Sequence, residues 1–171
     1  HYQQAKTLLD LEVYDKARKE AQHAIEAALE ASLPGKAHQM ELLICEAELH
    51  ADDLQGALDC FVEQLTRARA EKDAEGTCRA LIGLGNAYYF QEQGSAALGY
   101  YQQALEVARK HDDAGLVVSA LLNIGAAITY TSGPDSALAL YRAVLDTAGR
   151  TGLSPRSRAD ILGNMASLHS D

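Results

Sequence analysis

The chain has 171 residues, of which 47% are hydrophobic and 23% charged, which is enough apolar material to bury a core. No apolar run approaches the length of a membrane span, and a formal net charge of −9 disfavours binding to nucleic acid or to anionic membranes. The three cysteines, Cys45, Cys60 and Cys78, are odd in number and have no CxxC spacing. This pattern favours buried thiols in a reducing cytosol over disulfides or a zinc site.

The spacing of apolar residues predicts a succession of helices separated by short breaks. In chain order they cover 1–12, 14–31, 36–51, 54–70, 75–91, 95–111, 115–131, 135–149 and 156–169. Asp52-Asp53 is a short acidic turn that can cap the helix after it. Gly133-Pro134 marks another turn, because proline at the first helical position loses no helical hydrogen bond.

The sequence repeats itself at an interval of forty residues. When 81–120 is placed over 121–160, the matching pairs are Gly85 and Gly125, Ala97 and Ala137, Tyr101 and Tyr141, and Leu105 and Leu145. A fixed period of this size indicates one supersecondary unit stacked on copies of itself. We therefore predict a single array over 1–171, with repeats at 1–35, 36–75, 76–115 and 116–155 and a trailing helix at 156–169. The last loop is expected to have gained one residue.

Small residues occur where two antiparallel helices of a repeat would approach most closely. In the third repeat these are Gly85 on the first helix and Ala97 on the second, with Tyr88, Tyr101 and Leu105 filling the space on either side. A larger side chain at either small position would push the helices apart. The pattern predicts a helical hairpin.

The residues of this hairpin resemble the consensus of the tetratricopeptide repeat. The matching spacing is Leu81-x2-Leu84-Gly85-x2-Tyr88, followed by Ala97-x3-Tyr101-x2-Ala104. The resemblance implies an all-α fold, a right-handed α-solenoid of antiparallel helical hairpins. The usual period of the family is 34 residues, so this chain looks like the long-repeat variant found in regulatory scaffolds and bacterial signalling proteins. Because both ends lie partway through the pattern, we expect a piece of a larger protein.

The resemblance also implies a concave groove, lined by the first helix of each pair, in which a protein or peptide partner lies. Carried over to this sequence, its positions are Gln39, Glu46, His50, Arg79, Asn86, Tyr89, Phe90, Ser119, Asn123, Tyr130 and Asn164. Amides can hydrogen-bond an extended backbone, and aromatics can form apolar pockets. The aromatics are equally compatible with packing of neighbouring helices. Asn86 and Asn123 favour the groove, because burying an unsatisfied amide costs about 1–3 kcal/mol.

Asn86 and Asn123 also match two positions of the family's clamp for C-terminal carboxylates. The positions that carry cations in that clamp hold Ile82, Asp160 and Asn164 here. Since a carboxylate needs charge-assisted donors, we predict that the groove does not bind C-terminal tails of the chaperone type.

No catalytic motif is present in the sequence, and we predict that the chain is not an enzyme and binds no cofactor. Leu81-Ile82-Gly83-Leu84-Gly85 resembles a phosphate loop, but the helical period continues through it. Glu46 and His50 have a spacing compatible with a metal, yet no further ligands cluster nearby, so a solvated pair is favoured.

The predicted function is recognition of a protein or peptide by a cytoplasmic bacterial regulator whose output domain, such as a nucleotide cyclase, histidine kinase or transcription regulator, lies outside these residues. We expect no nucleic-acid or membrane partner. Two alternatives remain open. A sensory domain for a small molecule or signal peptide would have a closed pocket between Asn86, Tyr89, Asn123 and Tyr130. A self-association module, forming a homo-oligomer, would use the apolar faces of 1–12 or 156–169.

Overall fold

The computed structural model describes residues 16, 19–28, 30, 31, 34–50, 53–148 and 154–168, and every regular element among them is a helix. After a helical stretch at 19–28, the helices are α1 (Pro34–His50), α2 (Leu54–Glu71), α3 (Ala74–Phe90), α4 (Gly94–Lys110), α5 (Ala114–Ser132), α6 (Pro134–Ala148) and α7 (Pro155–Ser167). The predicted all-α fold is confirmed. The predicted helix at 1–12 lies outside the described residues.

The chain divides into two compact units between Gly76 and Thr77, one residue from the predicted repeat boundary. In the first unit, α1 packs against α2. In the second unit, α5 packs against both α4 and α6, and α7 contacts α5 and α6. Within each unit, most of these contacts join helices that follow one another in the chain, as expected for stacked helical hairpins.

The helix caps follow the sequence repeat. The side chains of Asp73 and Asp113, forty residues apart, each accept a hydrogen bond of 3.0 Å from the backbone amide three residues further on. Ser154 caps α7 in the same way at 3.0 Å, but it follows Asp113 by forty-one residues. The cap position therefore supports the one-residue insertion predicted for the last loop. Asp53 also caps its helix as predicted, through the amide of Gly56.

The turns differ from the prediction in detail. Gly133 has a φ of 85°, a left-handed value that glycine adopts without strain, and Pro134 opens α6 as predicted. Helix α4 begins at Gly94, one residue before the predicted start at 95. An alanine there would place its Cβ 2.8 Å from Tyr130 and Thr131, so the helix start lies close against the end of α5.

The second helix of each hairpin buries the positions that recur in the sequence. Ala57, Phe61, Leu65 and Ala68 on α2 are all 9% exposed or less, as are Ala97, Tyr101, Leu105 and Ala108 on α4. On α6, Ala137 and Tyr141 are buried in a core with Val118 and Ile161. The forty-residue period is therefore the period of the core.

Helix α5 is long and apolar enough to cross a membrane, judged by length and composition, with a mean hydropathy of 1.6 over its apolar window. Its neighbours account for part of this composition, since 39% of that window is buried. Leu116, Val118, Ala120, Ile124 and Ala127 are buried, and α5 is in contact with helices on more than one side. A helix surrounded by other helices is hydrophobic over most of its circumference.

The prediction of three free thiols was wrong. Cys45 on α1 and Cys60 on α2 form a disulfide, with their Cα atoms 5.5 Å apart, and Cys78 is free and buried. The midpoint between Cys45 and Cys60 in the sequence falls at the predicted turn, Asp52-Asp53. Residues equally far from the turn of an antiparallel hairpin lie opposite each other, so the missing CxxC spacing was the wrong criterion.

Candidate partner-binding site

Two glycines on first helices make room for tyrosines from second helices. A Cβ atom on Gly85 would lie 2.3 Å from the ring of Tyr101, and one on Gly125 would lie 2.2 Å from the ring of Tyr141. The close approach is therefore between glycine and tyrosine, whereas the sequence analysis had paired Gly85 with Ala97. Each ring passes over the glycine of the facing helix.

The tyrosine hydroxyl groups are hydrogen-bonded on the first-helix side of the hairpins. The Tyr101 hydroxyl donates to Asn86 Oδ1 at 2.8 Å, and the Tyr141 hydroxyl donates to the Leu122 carbonyl at 3.1 Å. The rings are 1% and 2% exposed, so these bonds satisfy groups that would otherwise be buried without partners. The tyrosines thereby place polar atoms beside the predicted groove residues.

Tyr89 interacts electrostatically with both hydroxyls, and Asn164 interacts with the Tyr141 hydroxyl. The pKa of Tyr101 is raised mainly by burial and to a smaller extent by the neighbouring Tyr89. Burial also raises the pKa of Tyr141, a hydrogen bond with Asn164 opposes the rise, and Tyr89 adds to it. We call Asn86, Tyr89, Tyr101, Tyr141 and Asn164 the hydroxyl–amide cluster. Three of its members are predicted site residues, Asn86 and Tyr89 on α3 and Asn164 on α7.

An exposed aromatic surface adjoins this cluster through Tyr89. The Tyr89 ring makes edge-to-face contacts with Phe90, at a centroid distance of 6.5 Å, and with Tyr130, at 6.3 Å. Phe90 is 60% exposed and Tyr130 is 54% exposed. We call these three residues the aromatic patch. More than half of each ring is thus open to solvent, although Tyr130 also lies against Gly94 at the start of α4.

The remaining predicted residues of the second unit are arranged differently. Asn123 Nδ2 donates to the Ser119 carbonyl one turn earlier in α5, at 2.9 Å. Asn123 and Asn86 both have hydrogen-bond partners within the chain. The free-energy cost of an unsatisfied amide is therefore no reason to assign either residue to the groove. Arg79 is exposed on α3. A role for these residues in partner binding stays a prediction.

The predicted residues of the first unit all lie on α1. Glu46 and His50 are exposed and one turn apart, and Gln39 belongs to the same helix. Among the described residues, no group of three or more His, Cys, Asp or Glu side chains is placed to hold a metal ion. The predicted phosphate-loop lookalike, 81–85, lies inside the continuous helix α3, as expected.

Comparison with known proteins identifies the repeat. The sequence model of the tetratricopeptide repeat family matches residues 36–110. Residues 36–110 therefore carry tetratricopeptide repeats. Comparison with curated protein sequences gives no match. Among solved structures, the apo form of RapI is similar, with a TM-score of 0.58 at 14% identity; the match covers 99% of this chain and 65% of RapI.

The likeness to RapI shows the fold, and the predicted class, a tetratricopeptide-type α-solenoid of helical hairpins, is confirmed. Tetratricopeptide repeats are typically non-enzymatic scaffolds. The family and the fold together support a module for protein–protein interaction or regulation. The chain spans 65% of the length of RapI, so the activity of the longer protein is not transferred to it.

The sequence analysis of these tetratricopeptide repeats missed two members of the site. Tyr101 and Tyr141 were interpreted as core residues, and their rings are indeed buried, but their hydroxyls belong to the hydroxyl–amide cluster. A signal was present. The equivalent position on α2 holds Phe61, so a hydroxyl is not needed for packing. A buried tyrosine usually has a hydrogen-bond partner, which here marks polar groups nearby.

Proposed function

We propose that the second unit binds an extended peptide or a segment of a partner protein over the aromatic patch and the adjoining hydroxyl–amide cluster. The observation that carries the proposal is the exposure of two large aromatic rings, Phe90 at 60% and Tyr130 at 54%, on one aromatic surface. Aromatic side chains are enriched in protein interfaces because they bury large areas with few rotatable bonds. The chain acts in this proposal as a non-enzymatic scaffold.

The polar groups beside the patch suit a peptide backbone. In Asn86, the bond from Tyr101 uses the side-chain oxygen, so the amide nitrogen takes no part in it. Asn164 on α7 is an exposed amide next to the Tyr141 hydroxyl. Amide groups of this kind can pair with backbone donors and acceptors, while apolar side chains of the peptide pack on the aromatic patch.

The exposure of the patch also bears on the alternatives. A sensory domain was expected to enclose its ligand between Asn86, Tyr89, Asn123 and Tyr130, and the exposed face of Tyr130 supports an open surface instead. For self-association, the described surface offers Leu162 on α7, which is 48% exposed. A sedimentation equilibrium experiment that finds a concentration-independent monomer would remove self-association.

The wider setting is part of the proposal. We infer a regulatory protein, of the bacterial signalling kind, in which this segment recognises a partner and an attached domain produces the output. A cytoplasmic location is proposed as well, although the Cys45–Cys60 disulfide removes the cysteine-based argument for a reducing compartment.

The experiment is a selection of binding peptides from a random display library on the immobilised chain. Peptides enriched on the native chain are then measured by fluorescence polarisation against Phe90→Ser/Tyr130→Ser. Loss of two buried aromatic contacts is expected to weaken binding by about tenfold or more, since burial of one such side chain contributes about 1.5–3 kcal/mol.

The matched control is Leu43→Ser/Val62→Ser, which removes two apolar side chains of similar exposure, 50% and 51%, from the first unit. This control is expected to bind the selected peptides as the native chain does. Peptides that bind both double variants with unchanged affinity would place the recognition surface elsewhere. Circular dichroism of both variants establishes that the helices are intact.

A further inference from the structure

The turn after α3 holds a carboxylate beside the aromatic patch. The backbone amide of Glu92 donates to the Tyr89 carbonyl at 2.9 Å, and the amide of Gln93 donates to the Tyr88 carbonyl at 3.0 Å. These bonds hold the turn against the end of α3, where Tyr89 and Phe90 lie. Glu92 is exposed on this turn. The patch therefore has a negative charge at its edge.

Tyr130 reaches the same turn from α5. A Cβ atom on Gly94 would lie 2.8 Å from Tyr130 Cδ1, so the ring lies directly against this glycine. Glu92 follows Phe90 by two residues and precedes Gly94 by two. Two residues of chain span at most about 7 Å, so the backbone of Glu92 lies within that distance of both. One exposed carboxylate is thus close to aromatic residues from two helices.

The segments that form the patch contain no competing cation. Neither lysine nor arginine occurs between Arg79 and Arg109 or between Lys110 and Arg142. The last turns of α3 and α5 accordingly have no basic residue, although basic residues occur in the last turns of α2 and α4. The ion pairs formed among the described residues do not include Glu92. Its carboxylate is therefore available to a cation of a partner.

The combination of exposed rings and a carboxylate suits a guanidinium group. The face of an aromatic ring carries partial negative charge and attracts cations. A guanidinium group is planar and weakly hydrated, so it stacks on such a face better than an ammonium group does, and it can pair with a carboxylate through two parallel hydrogen bonds. The net charge of −9 on the chain also favours the approach of a basic segment.

We propose that the partner segment carries an arginine whose guanidinium group stacks on the exposed rings of Phe90 and Tyr130 and pairs with the Glu92 carboxylate. This inference rests on the proposed function and names the chemistry of the partner. The rings supply the contact area, and the carboxylate favours a cation over a neutral apolar side chain.

The test compares two display libraries on the immobilised full chain. One library contains all amino acids, and the other lacks arginine but keeps lysine. Peptides from the first library that bind the patch, as shown by weaker binding to Phe90→Ser/Tyr130→Ser, are expected to carry an arginine. The best peptides of the arginine-free library are expected to bind at least about fivefold more weakly, because they lack the stacked guanidinium group.

A selected peptide is then measured with citrulline in place of its arginine. Citrulline keeps the shape of the side chain but has no charge, so binding by the native chain is expected to weaken about fivefold or more. Glu92→Gln is expected to weaken binding of the arginine peptide about twofold to fivefold, which is the range of an exposed ion pair. Fluorescence polarisation gives the dissociation constants.

Asp112→Asn is the matched control for Glu92→Gln. Asp112 is also exposed and in the left-handed region, with a φ of 54° against 60° for Glu92. It lies beyond the opposite end of α4, a helix of 17 residues and about 25 Å. This distance exceeds the screening length of about 8 Å at physiological salt, so the control is expected to leave binding unchanged.

A double-mutant cycle separates the ion pair from a structural role of Glu92. In Glu92→Gln, the citrulline replacement is expected to weaken binding less than it does in the native chain, by the same twofold to fivefold factor. The inference is overturned, and the proposed function stands, if arginine-free peptides bind the patch as tightly, if citrulline is tolerated, or if the cycle shows no coupling. If neither library yields a peptide that depends on Phe90 and Tyr130, the proposed function fails and this inference fails with it.

Discussion

Substitution of Gly85 by alanine tests whether the tyrosine that crosses each hairpin is held in place by the glycine beneath it. The new Cβ would lie 2.3 Å from Tyr101 Cε1 and 2.6 Å from Cδ1, about 1 Å inside the ordinary van der Waals contact distance of 3.4 Å or more. The ring cannot move aside freely, because it is 1% exposed and its hydroxyl is bonded to Asn86.

The magnitude follows from two opposing effects. Overpacking of a buried contact costs about 1–3 kcal/mol, and the upper end applies here because several atoms of a fixed ring are overlapped. Alanine in place of glycine within a helix contributes about 1 kcal/mol of stability. We therefore expect Gly85→Ala to lower the free energy of unfolding by about 2 kcal/mol.

The assay is urea denaturation followed by circular dichroism at the helical band. Gly99→Ala is the matched control, because Gly99 lies inside α4 and a Cβ atom there would meet nothing within 4 Å. This control is expected to raise the free energy of unfolding by about 0.5–1 kcal/mol. The two substitutions are chemically identical, so their difference measures the contact with the ring.

A double variant checks the cause. Tyr101→Leu removes the overlapping atoms, so Gly85→Ala is expected to cost less in that background, with a coupling energy of about 1 kcal/mol or more. Gly85→Ala that is as stable as Gly99→Ala would refute the reasoning, since the helices would then separate without cost.

Three further predictions concern the disulfide, a helix cap and pH. Cys45→Ser/Cys60→Ser is expected to lower the free energy of unfolding by up to about 3 kcal/mol, given the separation of 15 residues between the two cysteines. The melting temperature of this variant should not change when a reductant is added. A melting temperature equal to that of the native chain would contradict the prediction. Asp113→Ala removes the cap of α5 and is expected to lower the free energy of unfolding, measured by urea denaturation, by about 1 kcal/mol. An unchanged free energy of unfolding would show that the cap does not stabilise the helix. Burial raises the pKa of Tyr101 in the folded state, so its neutral phenol contributes to the free energy of unfolding below a pH of about 10, and this contribution is lost as the pH rises further. An ultraviolet titration in which this phenol ionises while the chain stays folded would contradict the prediction.

The candidate site includes residues that the sequence analysis named, because it follows the same forty-residue period as the core. Asn86, Tyr89 and Asn164 were named from their positions on first helices, and each of them interacts with the hydroxyl of Tyr101 or Tyr141. The hydroxyls of Tyr101 and Tyr141 were missed because a buried ring was taken to have a purely apolar role. Pairing residues that are about equally distant from the turn of each hairpin would have matched Gly85 with Tyr101 and Cys45 with Cys60.

The sequence by itself determined the helices among the described residues, the Asp53 cap and the succession of hairpins, because these depend on local periodicity and on residues close to each turn. The forty-residue interval between Asp73 and Asp113, and the extra residue before Ser154, could be anticipated without coordinates. Tertiary structure alone decided which polar atoms meet. The contact of Tyr89 with Tyr130 and the unpaired oxygen of Gln64 depend on side-chain directions across several helices, and periodicity does not fix those directions.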